Sequence, residues 1–400
     1  MVRATASIWV TCLAAISGLC LPATRDIARA HEKLRALFPI VHRGRFGFID
    51  LSGNITIPAR FLWASEFSEG RSAVLVCRKY GYIDEAGRIV IAPQYDAAGK
   101  FSEDRAPVKI GKEFGFIDKT GRIVIPPKYD SVFGFSEGQA GAVVGGREGV
   151  IDKQGAWVIQ PRFDDLLGFS EGLSATRAGN RWGFIDARGE TSIAFQYKTA
   201  GSFADGRAIV VTEAGETELI DTSGRVVLRN VNAPWGFSER LAPAQVGQED
   251  SYRYIDVNGR VAIAGSFDTA LPFAEGLAPV ENGGRWGFID KAGKFLIEPR
   301  FDDAERFSRG LANVKLGGKW GIIDRSGAFV VQPQFDEILG AAGDFDQVSI
   351  SKDEWGYIDQ RGRVFWRAPE SERPRYGEQS SLEELTQKEI EADCSASGRN

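Results

Sequence analysis

Ten aspartates stand at a spacing that could hold a row of cations. Asp50, Asp84, Asp118, Asp152, Asp186, Asp221, Asp256, Asp290, Asp324 and Asp359 follow one another at intervals of 34 or 35 residues. Carboxylates in register along an edge can bind calcium, which takes roughly six to eight oxygen ligands. The neighbours do not supply them: the pair after each aspartate varies from Leu-Ser to Lys-Thr to Ala-Arg to Val-Asn. What stays constant is an isoleucine before each aspartate and a glycine three residues after it, at Gly53, Gly87, Gly121, Gly155, Gly189, Gly224, Gly259, Gly293, Gly327 and Gly362. Aspartate at the first position of a type I turn accepts backbone amides, and glycine at the fourth takes the positive φ that closes a bulged hairpin. The spacing predicts ten turn-forming corners and no metal site.

A second series of acids sits in Phe-Ser-Glu-Gly segments and their variants, at Glu69, Glu103, Glu137, Glu171, Glu239 and Glu275. A general acid belongs to one cleft whose residues differ from their surroundings. These recur from unit to unit and read as solvated turn residues. The only histidines, His31 and His42, precede the first corner. The chain has no G-x-S-x-G, H-E-x-x-H, phosphate-binding loop or C-x-x-C motif. The expectation is no catalytic residue, no cofactor and no enzyme, with carboxylate-only glycoside hydrolysis as the remaining enzymatic alternative. Trp182, Trp286, Trp320 and Trp355 each precede a glycine. They read as core residues by strand alternation, or as stacking platforms for glycans if their rings are partly exposed.

The elements that carry these residues follow from the period. Repeats of 34 residues are also known from helical hairpins, but no window of this chain shows apolar residues at helical spacing. "WGFID" and "GRIVI" are short aromatic and β-branched runs on either side of each corner. Proline ends the second run, as in "RIVIPPKYD" at 122–130, and an aromatic two residues later (Tyr129, Phe163, Phe301) plugs the core. A third strand, such as "LAPVENGG" at 277–284, turns into the next "RWGFID". The expected fold is all-β: ten units of about 34 residues, each a three-stranded meander, stacked as a propeller-like ring or an open β-superhelix.

The motif "WGFID..G..VI.P.FD" followed by "FSEGLA.V" resembles the WG-containing repeat of bacterial proteins, over residues 37–366. That resemblance implies an all-β scaffold without a general catalytic activity. Three units depart from the pattern: Glu148 and Thr217 replace the aromatic in units four and six, and Glu218 and Arg253 replace the glycine in units six and seven.

Charge and ends complete the reading. With 49 basic and 54 acidic residues and a net charge of −5, the chain offers no basic stripe for nucleic acid. Arg3 and the uncharged run Ala4–Leu21 read as an export signal, residues 1–23, with cleavage after Ala23 or Ala30. An uncleaved membrane anchor is the alternative. Cys12 and Cys20 fall in this segment, leaving Cys77 and Cys394, which read as unpaired thiols. Residues 24–36 read as a short polar helix capping the array, and 367–400 as a polar tail with a short helix at 382–393. The expected location is periplasmic or secreted, with no membrane span after signal removal. The expected role is a scaffold for an unidentified envelope protein, or alternatively a lectin-like binder of an envelope glycan.

Overall fold

The computed structural model describes residues 36–247, 250–340, 345–359 and 361–372. The predicted export signal, both predicted helices and Cys394 lie outside them. Ten antiparallel sheets follow one another along the chain as the blades of a ten-bladed β-propeller. Blade 1 spans Phe38–Phe61, blade 2 Trp63–Tyr95, blade 3 Ala97–Tyr129, blade 4 Ser131–Phe163 and blade 5 Asp165–Tyr197. Blades 6 to 10 span Thr199–Arg229, Val231–Phe267, Thr269–Phe301, Asp303–Phe335 and Glu337–Pro369.

The three expected strands are present in every blade, but nine blades have a fourth. It is mostly a two-residue strand, such as Trp63–Ala64 pairing with Leu75 and Val74, and it lies in the stretch that the sequence presents as a long connection. Two residues are too few for alternation to show. The last blade also runs to Pro369, three residues past the expected end at Trp366.

Both faces of each sheet are apolar, as alternation in "WGFID" requires. Phe288 of blade 8 packs with Ile323 of blade 9, while the adjacent Ile289 packs with Tyr254 of blade 7. Each cluster of the core is therefore shared between two blades. The array closes on itself: blade 10 stacks on blade 1 through a cluster of Phe38, Ile40, Ile49, Trp355, Tyr357 and Ala368. The Tyr357 hydroxyl donates to the Pro39 carbonyl at 2.9 Å. This face-to-face closure removes the open superhelix, since a tenth blade that buries a face of the first leaves no open end.

The Trp-Gly pair has a steric cause. In blade 3, Phe114 pairs with Tyr129 and Phe116 with Ile125, so Gly115 alone faces Pro126, Pro127 and Lys128. The bulged strand lies against it so closely that a Cβ on Gly115 would meet the Ile125 carbonyl oxygen at 2.4 Å. Blade 6 shows the converse. Glu218 and Leu219 pair in step with Arg229 and Leu228, so the bulge opposite the glycine position is absent and only the shift between Leu219 and Ile220 remains; a glutamate occupies the glycine position. In blade 7, Arg253 lies opposite Ala264, Gly265 and Ser266, with glycine where other blades carry proline.

Gly115→Ala is expected to destabilise by more than about 2 kcal/mol, because backbone must move to admit the methyl. Gly134→Ala, where a Cβ meets nothing within 4 Å, should stay within about 0.5 kcal/mol. Urea unfolding of both variants checks the contrast; equal losses would remove the steric account.

Candidate functional site

In blades 2 to 9 the strands run between two kinds of turn. One strand end carries the Asp-x-x-Gly corner and the Phe-Ser-Glu-Gly hairpin; the other carries the glycine-rich tip.

All ten corner aspartates accept the backbone amides of the second and fourth residues on, at 2.8–3.1 Å, as Asp118 does from Thr120 and Arg122. The glycine amide returns to the aspartate carbonyl, as Gly121 does at 2.9 Å. The Ser223 hydroxyl, with the amide and side chain of Arg225, lowers the Asp221 carboxyl to about 2. Thr120 and Ser326 likewise hold Asp118 and Asp324 below the usual carboxylate range. Each carboxylate is committed to its own corner. Among the described residues, no group of three His, Cys, Asp or Glu is placed to hold a metal ion.

The glutamates of the second series correct their reading as solvated turn residues. Each Phe-Ser-Glu-Gly segment is a two-residue hairpin turn of the I′ kind, closed by paired bonds such as Ser68 N to Arg71 O and Arg71 N to Ser68 O. Glu69, Glu103, Glu137, Glu171, Glu239 and Glu275 hold φ between 51° and 54°, a left-handed conformation that normally selects Asn or Gly. Five of these carboxylates reach across to the next blade. Glu69 accepts from Asp104 N, Glu103 from Gly138 N, Glu171 from Gly206 N, Glu239 from Gly276 N and Glu275 from Gly310 N, at 2.8–3.1 Å. Asp205 does the same for Arg240 N. A lysine or arginine beside the next corner adds an ion pair: Lys119 to Glu69, Lys153 to Glu103, Lys291 to Glu239 and Arg325 to Glu275. The serine hydroxyl adds a third link, as Ser68 donates to Phe101 O at 2.7 Å. The acids form a blade-to-blade ladder.

Of the tryptophans, Trp355 is wholly buried in the closing cluster and has no ring face for a sugar. Trp182, Trp286 and Trp320 are half-buried against the core. Each lies opposite an aromatic plug: Tyr197, Phe301 and Phe335. Where blade 4 has Glu148 instead, burial pushes its carboxyl up despite the Leu166 amide that it accepts at 2.7 Å. Cys77, read as a free thiol, is disulfide-bonded.

Two features escape the repeat reading. The last strand of the blades exposes aliphatic side chains: Ile55, Ile89, Ile123, Val261 and Leu296 each keep 44–55% of their surface. On the opposite edge of the sheets, the connection Ala233–Gly236 of blade 7 exposes Trp235 beside a cleft of about 550 Å³ between blades 7, 8 and 9. Its signal in the sequence is a changed count: four residues separate Asn232 from Phe237, where two separate Ala270 from Phe273.

A family model described as WG containing repeat matches residues 46–76, 80–113, 114–147, 149–182, 182–213, 252–286, 286–320 and 320–346. The unmatched gap contains the first strands of blade 7 and the Glu218 strand of blade 6. No curated protein matches the chain. Among solved structures, a eukaryotic initiation factor is similar at 12% identity and a TM-score of 0.45, over 84% of this chain and 96% of that one. BamB from Moraxella catarrhalis is similar at 12% identity and a TM-score of 0.33, over 70% and 88%.

The ladder predicts that Glu103→Ala destabilises the ring, because the charge-assisted bond to Gly138 N is lost while the Cβ stays at positive φ. Glu103→Gly, which removes the link but also the strain, should cost less; chemical unfolding of both separates the two effects. The corner acids set an acid limit. Asp221 titrates near 2 when folded and near 4 when unfolded, so its stabilisation is complete above about pH 4 and is lost as pH falls towards 2. Melting followed by circular dichroism from pH 7 to pH 2 should show the fall in that window, and Asp221→Asn should flatten it.

Proposed function

We propose that this chain, which belongs to the WG containing repeat family, is a non-catalytic binding ring that docks a protein partner in the cell envelope. The observation that carries the reading is the row of exposed aliphatic side chains on the last strands of successive blades: Ile55, Ile89 with Val90, and Ile123 on blades 1 to 3, and Leu296 with Val330 on blades 8 and 9. Apolar surface repeated along a rigid frame suits protein recognition.

These strands are also unpaired sheet edges, which would template aggregation if left bare. Pro58, Pro93, Pro126, Pro161, Pro299 and Pro333 interrupt them. Proline offers no amide to a foreign strand, so the backbone edge is blunted while the side chains remain available. The edge thus favours docking by side chains over strand addition.

Two observations support the envelope. The start of the chain has the charge and hydropathy of an export signal, and Cys77 is disulfide-bonded, a bond that persists in oxidising compartments. Among the described residues, no helix is long and apolar enough to cross a membrane. The non-catalytic reading is supported by the commitment of the repeated acids to corners and blade links, and by His42, whose ring meets Glu372 at 3.3 Å rather than a nucleophile.

The test is affinity capture from an envelope extract by the full chain and by a variant carrying Ile89→Asp and Ile123→Asp. Both positions are exposed, so the melting temperature should hold. Two desolvated aliphatics lost from an interface should weaken capture at least about tenfold. Unchanged capture would move the binding face elsewhere.

A further inference from the structure

In a ring of near-identical blades, features shared by all blades explain the ring, and a specific ligand site belongs where the blades stop resembling one another. Three such departures converge on the cleft between blades 7, 8 and 9. The first is Pro234-Trp235, two residues more than blade 8 carries in the same connection. The second and third are Glu305 and Asn313, at the positions where blade 8, 34 residues earlier, has Leu271 and Pro279. From these we infer that the cleft is a saccharide-binding site with Trp235 as its stacking platform and Glu305 and Arg306 as its polar contacts.

The insertion places a large ring outside the core. Trp235 is 57% exposed, the highest exposure among the large hydrophobic residues of the described structure, and its cleft is walled by Leu271 and Pro272. An exposed indole bordering the same cleft as an apolar wall suits the C–H face of a pyranose ring. The polar side of the cleft is prepared as well. Asn313 is wholly buried, and its Nδ2 donates to Glu305 Oε2 and to the Gly340 carbonyl, both at 2.9 Å. That bond fixes the carboxylate and leaves its other oxygen to a ligand. Burial pushes the Glu305 carboxyl up, and among the described residues no cation pairs with it. A desolvated carboxylate without a cation is costly unless something else satisfies it.

The mixture of groups selects the ligand chemistry. A carboxylate accepts only, and the guanidinium of Arg306 donates only. A cationic ligand would suit Glu305 and be repelled by Arg306; an anionic ligand would meet the reverse. A neutral polyol both donates and accepts, so its hydroxyls satisfy both side chains at once. This site is independent of the aliphatic edge and of the protein partner assigned to it.

The experiment is titration of the full chain with neutral cello-, chito- and malto-oligosaccharides, followed by tryptophan fluorescence and calorimetry, in the parent and in Trp235→Ala and Glu305→Gln. At least one series should bind the parent with a blue shift. Trp235→Ala should weaken it at least tenfold and abolish the shift, and Glu305→Gln should weaken it several-fold. Trp235 is exposed on an inserted connection, so an unchanged melting temperature shows that folding is not the cause. The proposal is overturned if no oligosaccharide binds, or if binding survives Trp235→Ala. It is also overturned if a proline-rich or lysine-containing peptide, and no sugar, competes for the site in a Glu305-dependent way.

Discussion

A blade of this ring carries apolar side chains on both faces, and neither face can be covered from within the blade. The sheets are three or four strands wide, with strands of two to seven residues, which is too little to stand alone in water. Their stability comes from each neighbour, and the last neighbour is the first blade. Each interface buries several side chains of the Phe184 and Ile185 kind, worth about 1.5–3 kcal/mol apiece. A chain with free ends would leave two such faces in water. Closure through Phe38, Trp355 and Tyr357 follows from the same demand that stacks the other nine interfaces.

Stacking alone sets neither the angle nor the register between blades, and apolar faces slide easily. The acid ladder supplies direction. A glutamate at φ near 52° is an uneconomical turn residue when asparagine or glycine would fit without strain. What the long side chain reaches accounts for it: an amide of the next hairpin at five of the six positions, and a cation beside the next corner at four of them. Asparagine carries no charge for the cation. The strain of one turn is offset by a bond to its neighbour, which ties blade spacing to hairpin geometry.

Much of this was legible in the sequence because each corner obeys local rules. Asp-x-x-Gly turns and alternation in "WGFID" are decided within a few residues, so ten copies reinforce one reading. The prolines do not end the second strand as expected: it runs through them to the aromatic plug, as in Ile123–Tyr129, because an edge strand tolerates a missing amide. The quantities that escaped it depend on contacts beyond the few residues of a turn. The two-residue first strand is recognisable only beside the strand that it pairs with, and the role of Glu69 only beside Asp104. Ring closure depends on Tyr357 meeting Pro39, 318 positions apart. Cys77 was misread because a pairing between distant cysteines leaves no local pattern. Glycan stacking by the Trp-Gly series has less geometric room than the residue type suggested, because the strand points those rings at the plugs of the following strand.

The irregular blades show which parts of the motif are coupled. Blade 6 lost the bulge opposite the glycine position, and with it the proline, the aromatic plug and the glycine; in their place Glu218 pairs with Arg229 where the two strands run in step. Blade 7 kept the bulge and the plug Phe267 but moved its glycine to the opposite strand at Gly265. The requirement is therefore on the pair of strands, which must approach backbone to backbone at one point, and not on any single residue. A family pattern written residue by residue loses track of such a unit, and the matched repeats lapse between 213 and 252. The fold does not lapse there: Leu219, Val231 and Ile255 remain fully buried across the same two blades. Interface burial is the quantity that the ring conserves from blade to blade, so the motif is free to drift wherever a compensating change on the facing strand preserves it. Blade 7 also carries the inserted Trp235, on the connection ahead of these strands, where an added residue displaces none of the groups that its neighbours bury.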